Sequence, residues 1–436
     1  MRHKIIISVL GLFISLAITA QTTNPLSLQE AIKLSIANSH YIKIDSANIR
    51  TAMATVQESK DKKLPDASVS ASYLRLFGAN VAMANAQPGK EAPSPSQAVY
   101  GIANLSMPIY AGGRIRYGIE STKLLQQAVQ LSAENNKEKI AYNTTQAYVN
   151  LYKAARAVAV IQENLQVSIA RDTQFSRLEQ NGVMARNDLL KAQLQTSNIE
   201  LSLLDAQSNL ELANTNMDLL LGLPGSTQLQ IDTDFIAFNF PLLSFEEYES
   251  LALKQRTDLQ SLSIQQKASA FNIKSAIAAQ YPSLAVSGGY IAGKIPNLIT
   301  VTNAMNIGFG IKYNLSNLWK KNTALEKAKA SQNILLANEG LLVDDIKLQV
   351  NKDYQNQLLA NKKIEVYLKA EQQAQENYRI TKNKYDNGLA TITELLDANV
   401  MLLQTRLNIS GARADAVLAY YKLLATAGTL YQTTIK

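Results

Sequence analysis

The sequence predicts a mainly α-helical protein with a small β part, built from two copies of one helix-hairpin-helix unit. Three observations indicate this fold class: patterns recur between the two halves of the chain, long stretches lack proline and nearly lack glycine, and four short segments alternate apolar with small polar residues. The 436 residues are 47% apolar, which is enough for a large buried core and excludes a disordered polymer.

The composition excludes several classes of chemistry. The chain has no cysteine, which removes disulfides, thiolate nucleophiles and cysteine-ligated metals. Of its two histidines, only His40 lies outside a predicted targeting segment, so we predict no catalytic site, no metal site and no cofactor. The formal net charge of +8 is modest and spread along the chain, which argues against nucleic-acid binding.

Residues 1–20 are predicted to be a secretory signal peptide. Basic residues at 2–4 precede an apolar stretch over 5–18, and the small residue Ala20 lies before the expected cleavage site. This stretch is shorter than the roughly 20 residues that a helix needs to cross a bilayer, which argues against a membrane anchor. No other stretch is long and apolar enough for a spanning helix, so the mature chain would enter a membrane only as a closed β-barrel.

The mature chain repeats itself. The sequence LSLQE at 26–30 recurs as LSFEE at 243–247, and Asn-Gly at 181–182 recurs at 387–388. Each copy has the same predicted order of elements, so a duplication explains the length better than two unrelated domains do. The predicted units are a first structural repeat over 21–222, an inter-repeat linker over 223–242, a second structural repeat over 243–430 and a C-terminal tail over 431–436.

Each repeat is predicted to begin with a helix that leads into a β-hairpin. In the first copy this helix runs over 27–63 and ends before Pro65, because the residue before a proline is disfavoured in a helix. The residues at 77–97, rich in Ala, Asn, Pro and Ser, indicate a longer surface loop within the first hairpin. The predicted strands lie at about 66–76 and 99–108 in the first copy and at about 283–291 and 304–313 in the second.

The predicted strands carry an alternation that suits a membrane. In the last strand, apolar residues at 305, 307, 309 and 311 alternate with Asn306, Gly308 and Gly310. Aromatic residues lie in or beside the four strands, as in the girdles of outer-membrane barrels: Tyr73, Tyr100, Tyr110, Tyr281, Tyr290, Tyr313 and Trp319. A soluble sheet with one wet face is the alternative for any single strand. Because four strands cannot close a barrel, a membrane barrel would have to be shared among several chains.

The hairpin of each repeat is followed by two long helices. The predicted bounds are about 113–180 and 187–221 in the first repeat, and about 320–385 and 391–427 in the second. The first long helix alone would span roughly 100 Å. In the return helices, apolar and small residues follow steps of three and four, as in a coiled-coil seam. A solid bundle of soluble helices is the alternative, but it leaves the aromatic borders of the strands unexplained.

The segment MPIYAGGR at 107–114 is similar to the strand-to-helix junction of the TolC-type outer-membrane efflux proteins (outer membrane factors). The duplicated order of elements resembles theirs over nearly the whole mature chain, although the counterpart segment at 313–317 lacks the proline and the glycine pair. The resemblance implies a homotrimer in which each chain gives four strands to a 12-stranded outer-membrane β-barrel, continued by a long periplasmic α-helical barrel. It also implies contact with outer-membrane lipid, in the outer membrane of a Gram-negative bacterium, and an extension into the periplasm.

In function, the resemblance implies the outer-membrane channel of a tripartite efflux or type I secretion system. Such a channel is a passive exit duct, coupled through a periplasmic adaptor (membrane fusion) protein to an inner-membrane pump. The sequence agrees with an energy source in a partner protein, because no stretch matches the nucleotide-binding pattern G-x-x-x-x-G-K-[ST].

The resemblance also implies two groups of site residues. Adaptor docking is implied at the turns between paired helices, at Asn181, Gly182, Val183, Leu189, Asn387, Gly388, Leu389 and Leu395. A constriction of the channel entrance is implied at Glu394, Asp397 and Tyr385. Three copies of each carboxylate would form acidic rings that attract cations, whereas solvated helix residues are the alternative interpretation. Ala390 stands where better-known members carry an arginine, so any lock on the entrance must differ here.

Two other classes of function stay open from the sequence. The first is a periplasmic coiled-coil adaptor or scaffold protein without a membrane barrel. The second is a hydrolase with paired carboxylates, for which Asp344-Asp345 and Glu246-Glu247 are the candidates. Adjacent residues on a helix point in different directions, so we predict no shared site and no enzyme activity.

Overall fold

The computed structural model describes residues 25–79, 81, 94–236 and 241–435. The predicted signal peptide, most of the predicted loop at 77–97 and residues 237–240 of the predicted linker lie outside the described residues. The elements in chain order are α1 (Leu28–Asn38), α2 (His40–Asp61), β1 (Asp66–Arg75), β2 (Gln97–Tyr110), α3 (Arg114–Gln180), α4 (Arg186–Leu221), α5 (Phe245–Gln255), α6 (Thr257–Ala278), β3 (Ser283–Ile295), β4 (Ile299–Lys312), α7 (Thr323–Asp386), α8 (Ile392–Thr426) and α9 (Leu430–Ile435). The predicted mainly helical fold with a small β part, arranged as a duplicated unit, is confirmed.

Each repeat begins with a short helix and a longer one. Sequence analysis predicts a single helix over 27–63, but the chain breaks at Ser39, whose side chain accepts a backbone hydrogen bond from two residues on and caps α2. The second repeat breaks at the equivalent place, at Arg256, so that α1 and α5 have 11 residues each and α2 and α6 have 22 each. Ser27 and Ser244 begin the two copies with the same capping box.

The four strands form one antiparallel sheet in the order β1-β2-β3-β4. β3 and β4 are longer than predicted, because a tight turn over 296–298 joins them, with Asn297 in a left-handed backbone conformation at φ 62°. β2 also extends beyond its predicted bounds at both ends. Within the described residues, β1 and β4 each pair on one side only, so the sheet has two open edges.

The long helices lie side by side in one layer. Near the sheet, the order across the layer is α2-α3-α6-α7, and in the part distant from the sheet it is α4-α3-α8-α7. α3 has 67 residues and α7 has 64, so each runs for roughly 100 Å, almost the full length of the layer. One edge of the layer is therefore formed by α2 and α4, and the other by α7. Among the helices of the described residues, none combines the length and the apolar character that crossing a membrane requires.

The main core lies midway along the layer. Its fully buried side chains include Tyr148 on α3, Leu221 at the end of α4 and Leu423 on α8. Residues 431–436 are predicted as a C-terminal tail, but 430–435 form α9, whose Leu430 is fully buried in this core. The prediction missed α9 because its 6 residues are too few for a hydrophobic period to show.

Candidate functional site

The sheet has two chemically different faces. Residues that pair across the strands share a face, and one such row consists of Val69, Ala103, Tyr290 and Met305. The adjacent row lies on the opposite face and consists of Ser68, Asn104, Gly289 and Asn306. Five large apolar side chains on the first face are between 78% and 86% exposed: Val69, Met305, Ile307, Phe309 and Ile311. The single chain thus leaves an apolar face bare. The opposite face is polar in the row at Ser68, and in the row at Ser70 it also carries Ile102 and Ile291.

Both edges of the helical layer expose apolar side chains. α4 exposes six leucines: Leu190, Leu194, Leu201, Leu204, Leu212 and Leu219. α7, on the other edge, exposes Ile334, Leu341, Leu348, Leu359, Val366 and Ile380. β1 lies on the side of α2 and α4 because it follows α2, and β4 lies on the side of α7 because it leads into α7. The molecule therefore has two different open edges, each with an unpaired strand and an apolar helix.

The turns between α3 and α4 and between α7 and α8 have the same geometry. Gly182 and Gly388 adopt φ values of 71° and 73°, and the residue after each donates its N–H to the carbonyl five residues back, at 2.9 and 2.8 Å. A β-carbon at either glycine would meet no atom within 4 Å, so the backbone conformation alone requires glycine. The next residues, Val183 and Leu389, are 74% and 77% exposed. Each turn therefore presents an exposed apolar side chain at the end of the helices that is distant from the sheet. We call this end of the molecule the tip.

A buried cluster joins the two turns. We call it the tip cluster, and its buried members are Phe175, Leu189, Ala192, Ile392, Leu395 and Leu396. The predicted docking residues Leu189 and Leu395 are thus core residues of the tip, whereas Asn181 and Asn387 end α3 and α7 at its surface. The structure therefore brings the predicted docking residues of both repeats to one end of the molecule.

Tyr385 belongs to the wall of the tip cluster. Its ring is half-buried and packs against Phe175, with the ring centroids 5.6 Å apart. Burial is the main cause that raises the pKa of Tyr385; the carboxylates of Asp188 and Asp386 act in the same direction, and Arg171 opposes them. The hydroxyl therefore stays protonated and available as a hydrogen-bond donor at neutral pH.

Glu394 and Asp397 lie on one exposed face at the start of α8. Glu394 also caps this helix: the N–H of Thr391 donates to Glu394 Oε2 at 2.6 Å, and the N–H of Glu394 donates to Thr391 Oγ1 at 3.3 Å. The hydroxyl of Thr391 also donates to Glu394 Oε2, at 3.0 Å. The two bonds that this carboxylate accepts, with a smaller effect of Lys384, lower the pKa of Glu394. Sequence analysis missed this cap, although Thr-x-x-Glu is its signature.

Arg171 is the other residue that the sequence analysis missed. It is buried on α3, one turn from Phe175, on the same face as Leu165 and Ser168. Its spacing in this otherwise uncharged buried stripe is the signal that could have revealed it.

In each of the two carboxylate pairs considered for a hydrolase, one member accepts hydrogen bonds from a residue three or four positions away in the chain. Glu247 accepts hydrogen bonds from Ser244 in its capping box, and Asp345 accepts one from Gln349 at 2.6 Å. Glu246 and Asp344 are exposed. Among the described residues there is no group of three or more His, Cys, Asp or Glu side chains that could hold a metal ion.

Comparisons with known proteins point to one family. Residues 249–429 match the family described as "Outer membrane efflux protein". The chain is 24% identical over 408 residues to the outer membrane protein TolC of Vibrio cholerae, covering 88% of this chain and 86% of that protein. Its fold matches the outer membrane protein VceC of Vibrio cholerae with a TM-score of 0.76 at 17% identity, over 93% of this chain and 96% of that one. The CmeC outer membrane channel of Campylobacter jejuni matches with a TM-score of 0.76 at 19% identity, over 92% and 86%.

Proposed function

We propose that the chain is a member of the TolC-type outer-membrane efflux protein family and forms the outer-membrane channel of a tripartite efflux or type I secretion assembly. The channel is a passive exit duct that leads from the periplasm across the outer membrane of a Gram-negative bacterium. The observation that carries this proposal is the bare apolar face of the sheet, backed by a polar face, at one end of a helical layer roughly 100 Å long.

A head-to-tail ring of chains closes both open edges at once. β4 of one chain pairs with β1 of the next, which satisfies the backbone groups that an open strand edge exposes. On the same side, α7 packs against α2 and α4 of the next chain and covers the exposed leucines of α4. The first repeat, 21–222, and the second, 243–430, then alternate around the ring. Four strands from each of three chains give a 12-stranded barrel, so we propose a homotrimer.

In this barrel, the apolar face points outward to outer-membrane lipid and the polar face lines a water-filled lumen. Tyr110, Tyr281 and Trp319 lie where the sheet meets the helices, a position that suits an aromatic girdle at the membrane interface. A periplasmic adaptor or scaffold without a barrel would instead leave the five exposed apolar side chains in water. Burying each such side chain contributes about 1.5–3 kcal/mol, so the barrel accounts for the sheet and the scaffold does not.

The tip is the proposed docking surface for a periplasmic adaptor protein. Val183 and Leu389 offer exposed apolar contacts, and Gly182 and Gly388 hold them in place. Beneath them, the tip cluster fixes the two turns relative to each other. An inner-membrane pump, reached through the adaptor, supplies the energy for transport.

The narrowest part of the duct is proposed at the start of α8. The exposed face of this helix carries Glu394 and Asp397, and in a trimer three copies of each form acidic rings that favour cations. Tyr385 lies beside them in the wall of the tip, with Phe175 behind its ring.

A cysteine cross-link tests the ring directly. At 1.5 Å per residue, Leu212 lies about 39 Å from the tip end of α4, and Leu359 lies about 40 Å from the tip end of α7, so the two are level. Because the chain has no cysteine of its own, Leu212→Cys with Leu359→Cys reports only on this contact. The matched control is Leu212→Cys with Leu341→Cys, since Leu341 lies about 68 Å from the tip.

Mild oxidation of outer-membrane fractions is expected to link the first variant into covalent products that stop at three chains. The control variant stays monomeric on the same non-reducing gel. No cross-linking in the first variant, or a ladder that continues beyond three chains, would contradict a closed trimer. The purified assembly is also expected to conduct ions across a planar bilayer, and a water-soluble monomer without conductance would favour the scaffold instead.

A further inference from the structure

A cavity lies between the two repeats, at the junction of α5 and α6. Its volume is about 410 Å³, and we call it the repeat cavity. Glu138 and Lys139 of α3 line it from the first repeat, while Arg256 and Thr257 line it from the junction in the second. Residues of α7 and α8 complete its walls. The repeat cavity is therefore a place where the first long helix of one repeat meets the two short helices of the other.

The duplication relates each part of this cavity to a second place in the chain. The shift from Ser39 to Arg256 carries α1 and α2 onto α5 and α6, because both residues break the helix at the same point. The shift from Gly222 to Gly428 carries α3 and α4 onto α7 and α8, because both glycines follow the return helix, with φ of 72° and 73°. This second shift also carries buried residues of α3 onto buried residues of α7: Ile140 onto Ile346, Thr144 onto Val350, Ala147 onto Asp353 and Leu151 onto Gln357.

In the proposed ring, the counterparts of the repeat cavity come from two chains. Within one chain, α6 lies between α3 and α7. In the ring, α2 lies in the same way between α3 of its own chain and α7 of the neighbouring chain. Glu138 and Lys139 then correspond to Asp344 and Asp345 on α7 of one chain, and Thr257 corresponds to His40 of the next. The ring therefore contains a second cavity of this kind at every junction between chains.

A pair of exposed isoleucines supports this correspondence. Ala128 of α3 and Ser261 of α6 are each 3% exposed, and Ser261 Oγ donates to the carbonyl of Ala128 at 2.9 Å. Their counterparts are Ile334 on α7 and Ile44 on α2, which are 61% and 55% exposed. Because the same two positions touch within one chain, their contact between chains would remove both isoleucines from water.

The second cavity brings unlike charges together from different chains. Asp344 and Asp345 lie on α7 of one chain, and His40 begins α2 of the next. All three side chains are exposed in the single chain. Within the described residues, the side chains of His40 and Asp344 have neither a hydrogen-bond nor an ion-pair partner. In the repeat cavity, by contrast, Glu138 accepts the N–H of Tyr431, at 3.2 and 3.1 Å from its two oxygens.

We propose that His40 of one chain binds Asp344 and Asp345 of the next chain, in an ionic contact that joins neighbouring chains of the ring. The proposal rests on the proposed function, because the contact exists only if the chains form that ring. Histidine changes its charge between about pH 5 and pH 8. Protonated imidazole is attracted to the two carboxylates more strongly than neutral imidazole is, so the contact stabilises the assembly more as the pH falls.

The other charged groups near this contact stay the same in all the variants that test it, apart from the control at Lys43. They are Lys43 and Asp45 on α2, Lys139 on α3, Asp218 on α4 and Lys347 on α7. Asp45 accepts a hydrogen bond from Asn136 of α3 at 2.9 Å. Desolvation raises the pKa of Asp218, which is buried in α4. The α1 residues at the junction are uncharged.

A charge exchange tests the contact in the purified full-length assembly. His40→Asp places three carboxylates at each junction and is expected to lower the temperature of trimer dissociation by at least about 5 °C, measured on semi-native gels. Adding Asp344→Lys is expected to recover at least about half of that loss. The matched control adds Glu371→Lys to His40→Asp, which makes the same change of charge about 40 Å further along α7 and is expected to recover none of it.

The pH dependence gives a second readout without a repulsive charge. The wild-type trimer is expected to dissociate at a higher temperature at about pH 5.5 than at about pH 8, and His40→Gln is expected to remove at least about half of that difference. Lys43→Gln, one turn along the same helix, should keep the difference. Glu138 contributes to the difference equally in all of these proteins. His40→Gln decides the matter if His40→Asp does not assemble.

Two results overturn the contact. One is an exchange variant that is no more stable than His40→Asp alone, and the other is an unchanged pH difference in His40→Gln. The cross-link between Leu212→Cys and Leu359→Cys separates this contact from the ring itself. If that cross-link forms and the charge exchange fails, the ring stands and the contact at His40 is wrong. If the cross-link does not form, the ring is wrong and the contact is wrong with it.

Discussion

Replacing Ile307 with lysine is expected to stop the protein from assembling in the outer membrane. Ile307 lies near the middle of β4, a strand of 14 residues, and its side chain is exposed on the apolar face of the sheet. In the proposed barrel it faces the hydrocarbon core of the membrane, where a lysine costs about 2–4 kcal/mol near the midplane. Three chains repeat the cost, so the assembly loses about 6–12 kcal/mol, which is as large as the whole stability of many folded proteins.

The neighbouring residue supplies the control. Asn306 lies on the same strand but on the polar face, so Asn306→Lys introduces the same charge at nearly the same depth and points it into water. Its cost is expected to be close to zero, because substitutions facing the lumen change selectivity rather than insertion. The comparison therefore separates the effect of the face on which the lysine lies from the effect of the added charge.

The assay is the heat-modifiable oligomer in outer-membrane fractions, measured on semi-native gels. Asn306→Lys is expected to give close to the wild-type amount, and Ile307→Lys less than about a tenth of it. Equal amounts from both variants would show that Ile307 does not face lipid. Failure of Asn306→Lys alone would show that the two faces of the sheet are assigned the wrong way round.

Three further changes test the tip and the middle of the molecule. Gly182→Val or Gly388→Val strains a turn with positive φ by about 1–2 kcal/mol, and we expect lower export in a drug-efflux assay with normal membrane insertion. Glu394→Gln with Asp397→Asn is expected to weaken the preference for cations, read as a shift in reversal potential across a salt gradient. Burial raises the pKa of Glu138 from 4.5 to about 7, so the folded protein favours the protonated carboxyl and loses stability as the pH rises between these values. Glu138→Gln should abolish this loss, measured as the difference in Tm between about pH 4 and about pH 8.

The periodic features of the fold could be predicted from the sequence because they recur over many residues. The alternation in β4 and the long stretches without proline decide between strand and helix without knowledge of tertiary contacts. The breaks at Ser39 and Arg256 could not be found in this way, because both interrupt patterns that look helical on either side. At both places the backbone of one residue leaves the helical conformation, with ψ of 129° at Ser39 and 116° at Arg256, and a single such residue leaves no periodic signal.

The candidate site also has features that the sequence predicts and features that it does not. The Asn-Gly turns could be predicted because left-handed backbone favours glycine wherever it occurs, and the repetition of Gly182 as Gly388 doubles the signal. Burial of Leu189 and Leu395 could not be inferred, because an apolar residue near a turn serves equally well as a surface contact or as core. Arg171 is a harder case, since one charged residue in an apolar stripe is rare and its unmet hydrogen bonds are visible only once the four helices are placed together.

Glu394 combines a local requirement of the fold with the acidic ring that we propose at the entrance. At the third position of α8, its carboxylate must stay ionised to accept the N–H of Thr391 strongly, and that bond lowers its pKa. Three such carboxylates gathered around a narrow lumen would raise one another's pKa by repulsion, which works against a charged ring. The capping bonds lower the pKa of Glu394 in every chain, and they depend on no contact between chains. A ring built from capping residues therefore keeps its charge under mildly acidic conditions, in which a ring of uncapped carboxylates at the same spacing would begin to lose it.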